Sequence, residues 1–281
     1  MSFQPALPIG GYAGWQFLKR TMESQQAEFA RAPAIQRDTE YFRSRIGEIA
    51  SAEDLVGDRR LLRVALGAFG LDDDLPNRFF IRKVLEEGTE ERRALANRLS
   101  DTRYREMSAA FGFGPGASAG AREPGFADRI VAAFQARQFE RAVGTQSEDM
   151  RLALNLTRDL AKLAGRDSSE RSKWFTVLGN PPLRQVFETA FGLPRGFGML
   201  DVDRQVEVMQ ERSAKSFGAP SVSQFADPGK MEDLVRSFLL RGQLASGGID
   251  PNTAGFAAVQ LLQPLRAPTG LALRSLFPSA F

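Results

Sequence analysis

Two residue types are missing altogether: the 281-residue chain contains no cysteine and no histidine. Without cysteine there are no disulfides, zinc ribbons, iron–sulfur clusters or thiol nucleophiles. Without histidine there is no Ser-His-Asp triad and no imidazole acid or base. Most transition-metal sites go with it, because imidazole is their usual ligand. Lysine is scarce, with six residues against 31 arginines. Long apolar runs are lacking too: none approaches the 18 residues that a membrane span requires. Residues 1–14 show neither a basic n-region nor a long apolar h-region, so no secretory signal is expected. The chemistries that survive are carboxylate or lysine catalysis and Mg²⁺ chemistry, alongside no chemistry at all.

Hydrophobic residues make up 43% of the chain, enough for a core of one large domain or two small ones. The net charge is only +3. The arginines are spread along the chain, many of them beside acidic residues, as in Arg166-Asp167 and Glu170-Arg171. Mixed signs of this kind describe a solvated, salt-bridged surface rather than a nucleic-acid footprint. The arginine bias itself is what a GC-rich genome produces.

Apolar residues recur at helical spacing nearly everywhere: Trp15, Leu18, Met22, Phe29; Phe126, Ile130, Phe134; Leu152, Leu156, Leu160, Leu163; Leu234, Phe238. No run of alternating β-branched residues appears. Start signals include the capping-box spacing Ser51-x-x-Asp54 and the pair Asn180-Pro181. Gly70, Gly112, Gly192 and Gly218 each follow an apolar helix end, where a left-handed residue is wanted. The expected fold is all-α, with about ten to twelve helices in two related bundles.

The relation between the bundles rests on repeated strings. Ala68-Phe69-Gly70-Leu71 recurs as Ala190-Phe191-Gly192-Leu193, and Asp58, Leu61 and Val64 then align with Asn180, Leu183 and Val186. Phe42-x-x-x-Ile46-Gly47 matches Phe139-x-x-x-Val143-Gly144, and Ala110-Phe111-Gly112 matches Ser216-Phe217-Gly218. The spacing between matched strings varies, which implies an insertion and a deletion. An internal duplication would give a first helical module over 1–112, a Gly-rich linker or loop over 113–121, and a second module with a C-terminal tail over 122–281. Phe69 and Phe191 are then expected at equivalent buried positions, Phe111 and Phe217 likewise, with positive φ at Gly70 and Gly192.

Candidate sites are few. The segment Gly112 to Gly120 is glycine-rich, but it follows a helix and lacks Gly-Lys-Ser/Thr, so it reads as a linker rather than a phosphate cradle. Asp72-Asp73-Asp74 offers three carboxylates to a divalent cation but lacks EF-hand spacing; it is expected to supply N-terminal charge for the next helix. Trp174-Phe175 is expected in the core, and Trp15 either on the core or on a partner. Lys162 and Lys173 are expected to be solvated rather than catalytic. Arg184 and Arg204 are expected in buried structural ion pairs. No catalytic, cofactor-binding or metal-binding residue is assigned. The ends, residues 1–9 and 264–281, are proline-bearing, poor in charge and apolar. The N-terminus is expected to await a partner, its deletion leaving stability unchanged; the C-terminal tail is expected to pack on its own domain.

The strings Glu40-Tyr41-Phe42, Asp58-Arg-Arg-Leu-Leu62, Ala68-Phe-Gly-Leu71, Ala96-Asn-Arg-Leu-Ser-Asp-Thr-Arg-Tyr104, Ala110-Phe-Gly-Phe113, Arg141-Ala-Val-Gly144, Trp174, Pro182-Leu-Arg184 and Asp203-Arg-Gln205 occur in this order. Together they resemble an uncharacterised alphaproteobacterial family, catalogued as a domain of unknown function, over roughly residues 10–242. Members of that family tend to be encoded among flagellar genes and can carry the module in tandem. The resemblance implies a flagellum-associated protein and transfers no catalytic residue. The expectation is a non-enzymatic structural or protein-interaction protein with a protein partner, cytoplasmic or exported by the flagellar route. The alternative is a Mg²⁺-dependent, carboxylate-based enzyme with a cleft between the two modules.

Overall fold

The computed structural model describes residues 3–116 and 120–245; the expected C-terminal helix at 256–263 and the tail at 264–281 lie outside them. The fold is all-α: 76% of it is helical, and no strand occurs among the described residues. Among the described residues thirteen α-helices follow in order: α1 Gly11–Ala30, α2 Pro33–Arg45, α3 Ala52–Gly57, α4 Arg59–Phe69, α5 Arg78–Glu87, α6 Leu95–Arg98, α7 Thr102–Phe111, α8 Phe126–Gly144, α9 Glu148–Ala164, α10 Glu170–Leu178, α11 Pro181–Phe191, α12 Val202–Phe217 and α13 Pro228–Ala245. The short α3 and α6 carry the count past the expected twelve. Contacts divide the chain after Gly242; beyond it only 243–245 are described, the end of α13. No described helix is long and apolar enough to cross a membrane.

Local chemistry sets the helix ends. Ser51 and Asp54 close a reciprocal capping box at α3. Asp58 Oδ1 accepts from the backbone N–H groups of Arg60 and Leu61 at the start of α4, and Asn180 Oδ1 accepts from Leu183 at the start of α11. Both helices are eleven residues long and end alike. Gly70 and Gly192 have φ of 71° and 63°. The next residue donates back into the last turn: Leu71 to the Leu66 carbonyl, and Leu193 to the Glu188 carbonyl, both at 2.9 Å. A side chain at either glycine would meet the left-handed clash that only glycine escapes. The rings just before the stops also pair alike. Phe69 lies 6.4 Å from Phe111, and Phe191 lies 6.1 Å from Phe217. The burial is not identical, since Phe191 is buried and Phe69 only half-buried.

The buried apolar side chains form two clusters, and packing divides differently from chain order. One core runs from Phe42 to Phe134 through Leu62, Leu66, Leu85 and Phe111. The other holds Phe139, Leu156, Trp174, Phe187, Phe225 and Phe238, together with Trp15 and Leu18 of α1. Helix α8 belongs to both: Phe126, Ile130, Val131 and Phe134 face the first core, and Phe139 and Val143 the second. Burying one phenylalanine fully contributes about 1.5–3 kcal/mol. Each half of α8 is therefore anchored by its own core.

The N-terminal segment corrects one expectation. Residues 3–8 are not a solvated arm. Phe3 and Leu7 pack on the second core, and the Phe3 ring stands edge-on to Phe29 at 6.3 Å. The Ala6 N–H donates to Gln25 Oε1 at 2.7 Å, and Gln146 Nε2 donates to the Pro5 carbonyl at 2.6 Å. Proline keeps this segment extended, and the two glutamine side chains satisfy its backbone in place of a helix.

Candidate functional site

Polar groups converge in a cleft of about 460 Å³ between the end of α4, the second half of α8, the start of α9 and the start of α11. Its wall carries Arg103, Arg137, Arg141 and Arg151 against Asp72, Asp73, Glu140 and Glu148. These charges are largely spent on one another. Arg141 reaches Asp72 at 3.0 Å, and Arg151 grips Glu148. Arg103 is held by Asp101 at 2.6 Å and donates to the Gly70 carbonyl. Pro181 and Pro182 line the cleft at the start of α11, so that helix end offers no N–H groups from its first two positions.

Arg137 and Glu140 of that wall belong to a largely buried quartet with Arg158 and Asp159 of α9. Arg158 donates to Glu140 at 2.7 Å and to Asp159 at 2.8 Å, and Arg137 reaches Asp159 at 3.5 Å. Arg137 also donates from Nε to the Ala68 carbonyl at 2.9 Å, tying α8 to the end of α4. Burial pushes the Glu140 carboxyl above its ordinary range, against the pull of Arg158 and Arg137. Burial acts the same way on Asp159, but the Arg158 hydrogen bond and the charges of Arg137 and Arg158 outweigh it and hold its pKa low. Burial and repulsion from Arg158 push Arg137 down. Two cations and two carboxylates sit together, which is how a buried charge cluster is tolerated.

The three aspartates Asp72–Asp74 do not converge. They form a short 3-10 turn. Asp72 accepts from Gln138 and faces Arg141; Asp74 accepts from the Tyr104 hydroxyl and from Asn77, at 2.6 and 2.9 Å; Asp73 is fully exposed. Among the described residues, no three carboxylates gather in a way that could hold a metal ion. The Mg²⁺-carboxylate alternative therefore has no donor set in the cleft to rest on.

Of the other candidates, some fall where expected and some do not. Trp15 and Trp174 are both buried, donating their indole N–H groups to Glu232 and to the Pro220 carbonyl. Lys162 is exposed as expected, but Lys173 is only 4% exposed. Its ammonium group donates to the Ala164 carbonyl at 3.1 Å, to Ser223 at 2.5 Å and to Glu170 at 3.3 Å, so it is a structural clasp rather than a solvated lysine. Arg184 and Arg204 pair within their own helices, with Glu188 and Glu207, and neither pair is buried. Phe175 is not a core residue: it stands 38% exposed. On the elements that follow, Met199, Leu200 and Val202 are also exposed, at 91, 42 and 54%. Arg171 joins the parts, lying 5.6 Å over the Phe175 ring and 2.7 Å from Asp203. The sequence reading missed these because Met199 and Leu200 lie around a 3-10 turn, where helical periodicity gives no signal.

An all-α chain with two cores sharing one helix, a self-neutralised charged cleft and exposed apolar side chains is the class of protein these features define. Residues 68–231 match the family described as "Protein of unknown function (DUF1217)", and the chain belongs to that family. Its fold is similar to an X-ray crystal structure of a protein from Agrobacterium tumefaciens, determined as a structural-genomics target. The two share 27% identity with a TM-score of 0.70 over 86% of this chain and 99% of that one. No protein of curated function matches this chain.

Proposed function

We propose that this protein is a non-enzymatic interaction module that binds a protein partner through the face formed by Phe175, Met199, Leu200 and Val202. The observation that carries the reading is the exposure of four large apolar side chains on neighbouring elements, α10, the 195–199 turn and α12. The rim is charged, with Arg171–Asp203 and Arg204–Glu207 around it. An apolar centre inside a polar rim is the anatomy of a protein interface. The family resemblance in the sequence, through the flagellar genes among which such members are encoded, supports a flagellar component as the partner, with the protein as an accessory or assembly factor in the cytoplasm or along the flagellar export route.

The same reading includes an internal duplication. One unit runs from α2 to α8 and the other from α8 to α13. Its support is the pairing of matched parts: the caps Asp58 and Asn180, the stops Gly70 and Gly192, and the ring pairs Phe69–Phe111 and Phe191–Phe217. Ile130, Val131, Phe134 and Arg137 of α8 recur as Leu234, Val235, Phe238 and Arg241 of α13. Arg137 lies against Gly70 and Arg241 against Gly192.

The test is co-purification from a motile host at native abundance, read for flagellar rod and export components. The wild-type chain is expected to bring down at least one of them, and a Met199→Asp/Val202→Asp variant with an unchanged melting temperature is expected to lose it. A wild type that captures none, or a variant that captures as well, would overturn the proposal.

A further inference from the structure

Residues 3–8 lie on the body of the protein as a bound peptide would. Burial alternates along them: Pro5 is buried and Phe3 and Leu7 partly so, while Gln4, Ala6 and Pro8 are exposed. A period of two is the signature of an extended chain on a surface. The Phe3 ring meets Phe29 of α1 edge-on at 6.3 Å, and Phe29 meets Phe139 of α8 at 5.8 Å. Between the apolar contacts, side chains read the backbone. Gln25 of α1 takes both polar groups of one residue. Its Oε1 accepts from the Ala6 N–H at 2.7 Å, and its Nε2 donates to the Ala6 carbonyl at 3.3 Å. Gln146, just past α8, donates to the Pro5 carbonyl at 2.6 Å.

Gln25 is only 8% exposed, and its amide is held in one orientation. Its Nε2 also donates to Thr21 Oγ1 at 2.8 Å, and the Thr21 hydroxyl spends its own proton on the Phe17 carbonyl at 3.0 Å. A fixed amide matched to both backbone groups of Ala6 serves an extended chain whatever side chain that residue carries. Selection then falls to the inward positions, Phe3, Pro5 and Leu7. Charge plays no part, because residues 3–8 carry none. Main-chain hydrogen bonds for affinity and pockets for alternate side chains are how proteins recognise extended peptides of other chains. We infer that this groove is a peptide-binding site which residues 3–8 close in cis. Its partner in trans is an extended, uncharged segment of another protein, with large apolar residues at its first and fifth positions and proline at its third. The site shares no residue with the Phe175–Val202 surface, so either can fail without the other.

The experiment uses full-length chains and a fluorescent peptide of residues 2–9, Ser-Phe-Gln-Pro-Ala-Leu-Pro-Ile, followed by anisotropy. Phe3→Ala/Leu7→Ala empties two pockets and leaves Gln25 and Gln146 in place. This variant is expected to bind the peptide saturably and at least about tenfold more tightly than the wild type, whose own segment competes for the groove. Adding Gln25→Leu is expected to weaken binding about tenfold or more, and a peptide with serine in place of its Phe and Leu is expected not to compete. Native-state hydrogen exchange of the wild type supplies a readout that needs no variant: the Ala6 amide should exchange by local opening, well before the core amides of α9. No saturable binding, equal affinity for wild type and variant, unchanged affinity on adding Gln25→Leu, competition by the serine peptide, or an Ala6 amide that exchanges only with global unfolding would each overturn the inference. A wild-type dimer in sedimentation that dissociates in Phe3→Ala/Leu7→Ala would assign the groove to a second copy of the chain and overturn the separate partner.

Discussion

The quartet Arg137, Glu140, Arg158 and Asp159 shows how one shared environment can treat two carboxylates oppositely. Glu140 is held above its ordinary pKa and Asp159 below it, so the fold disfavours the charge of the first and favours that of the second. Isosteric neutralisation should therefore be asymmetric. Asp159→Asn leaves Arg137 and Arg158 short of a counter-charge and is expected to cost about 3 kcal/mol or more at pH 7. Glu140→Gln keeps an acceptor for Arg158 and removes a charge that burial resists, with an expected cost under about 1 kcal/mol. The pH dependence has a definite sign. A carboxyl whose folded pKa is depressed contributes stability that is present above its unfolded pKa, 3.8 for aspartate, and is lost as pH falls through the lower folded value. Denaturant titrations should show the gap between wild type and Asp159→Asn shrinking as the pH is lowered below about 4. Equal costs for the two substitutions at pH 7, or a gap that widens in acid, would contradict the assignment.

At the scale of elements, α1 and its leading segment fasten the second core from outside. Glu232 of α13 accepts from Tyr12 at 2.8 Å, Gln16 at 2.5 Å and Lys19 at 2.8 Å, and more weakly from Trp15. The segment before α1 adds Phe3, Leu7 and the two glutamine clasps. Removing residues 2–9 forfeits the half-buried side chains of Phe3 and Leu7 and the backbone hydrogen bonds of Pro5 and Ala6, about 2–3 kcal/mol in sum. Thermal unfolding followed by circular dichroism should then shift down by roughly 5–10 °C; an unmoved transition would show that the segment contributes nothing. The sequence reading had this segment waiting for a partner. Proline and low charge in the sequence exclude a helix there, but the acceptors and donors that hold it, Gln25 and Gln146, are distant in the chain. The same limit explains other differences. Helices, caps and glycine stops are local and were legible: Asp58, Asn180, Gly70 and Gly192 each act within four residues. Lys173, Phe175 and the quartet depend on which helix faces which, and single-chain periodicity carries no such information. Arg137 and Asp159 read in sequence as ordinary members of a mixed-charge surface.

At the scale of the whole molecule, α8 decides how the two cores behave. Its first half is buried with Phe111 and Leu66, its second with Leu156 and Trp174, and no loop separates them. Melting either core frees half of one continuous helix and strips Arg137 from the Ala68 carbonyl or Arg158 from Glu140. The cores should therefore unfold together, although their side chains form separate clusters. The chain carries its own reporter of this coupling, because its only two tryptophans, Trp15 and Trp174, both lie in the second core. Phe111 is fully buried in the first core, so Phe111→Ala is expected to cost about 3–5 kcal/mol. If α8 couples the cores, tryptophan fluorescence must report that loss in full, with the same drop in midpoint as circular dichroism and a single transition by both probes. Phe187→Ala, in the second core, should produce a drop of similar size. A tryptophan transition that stays at the wild-type midpoint in Phe111→Ala, while circular dichroism moves, would mean that the shared helix does not join the two cores energetically.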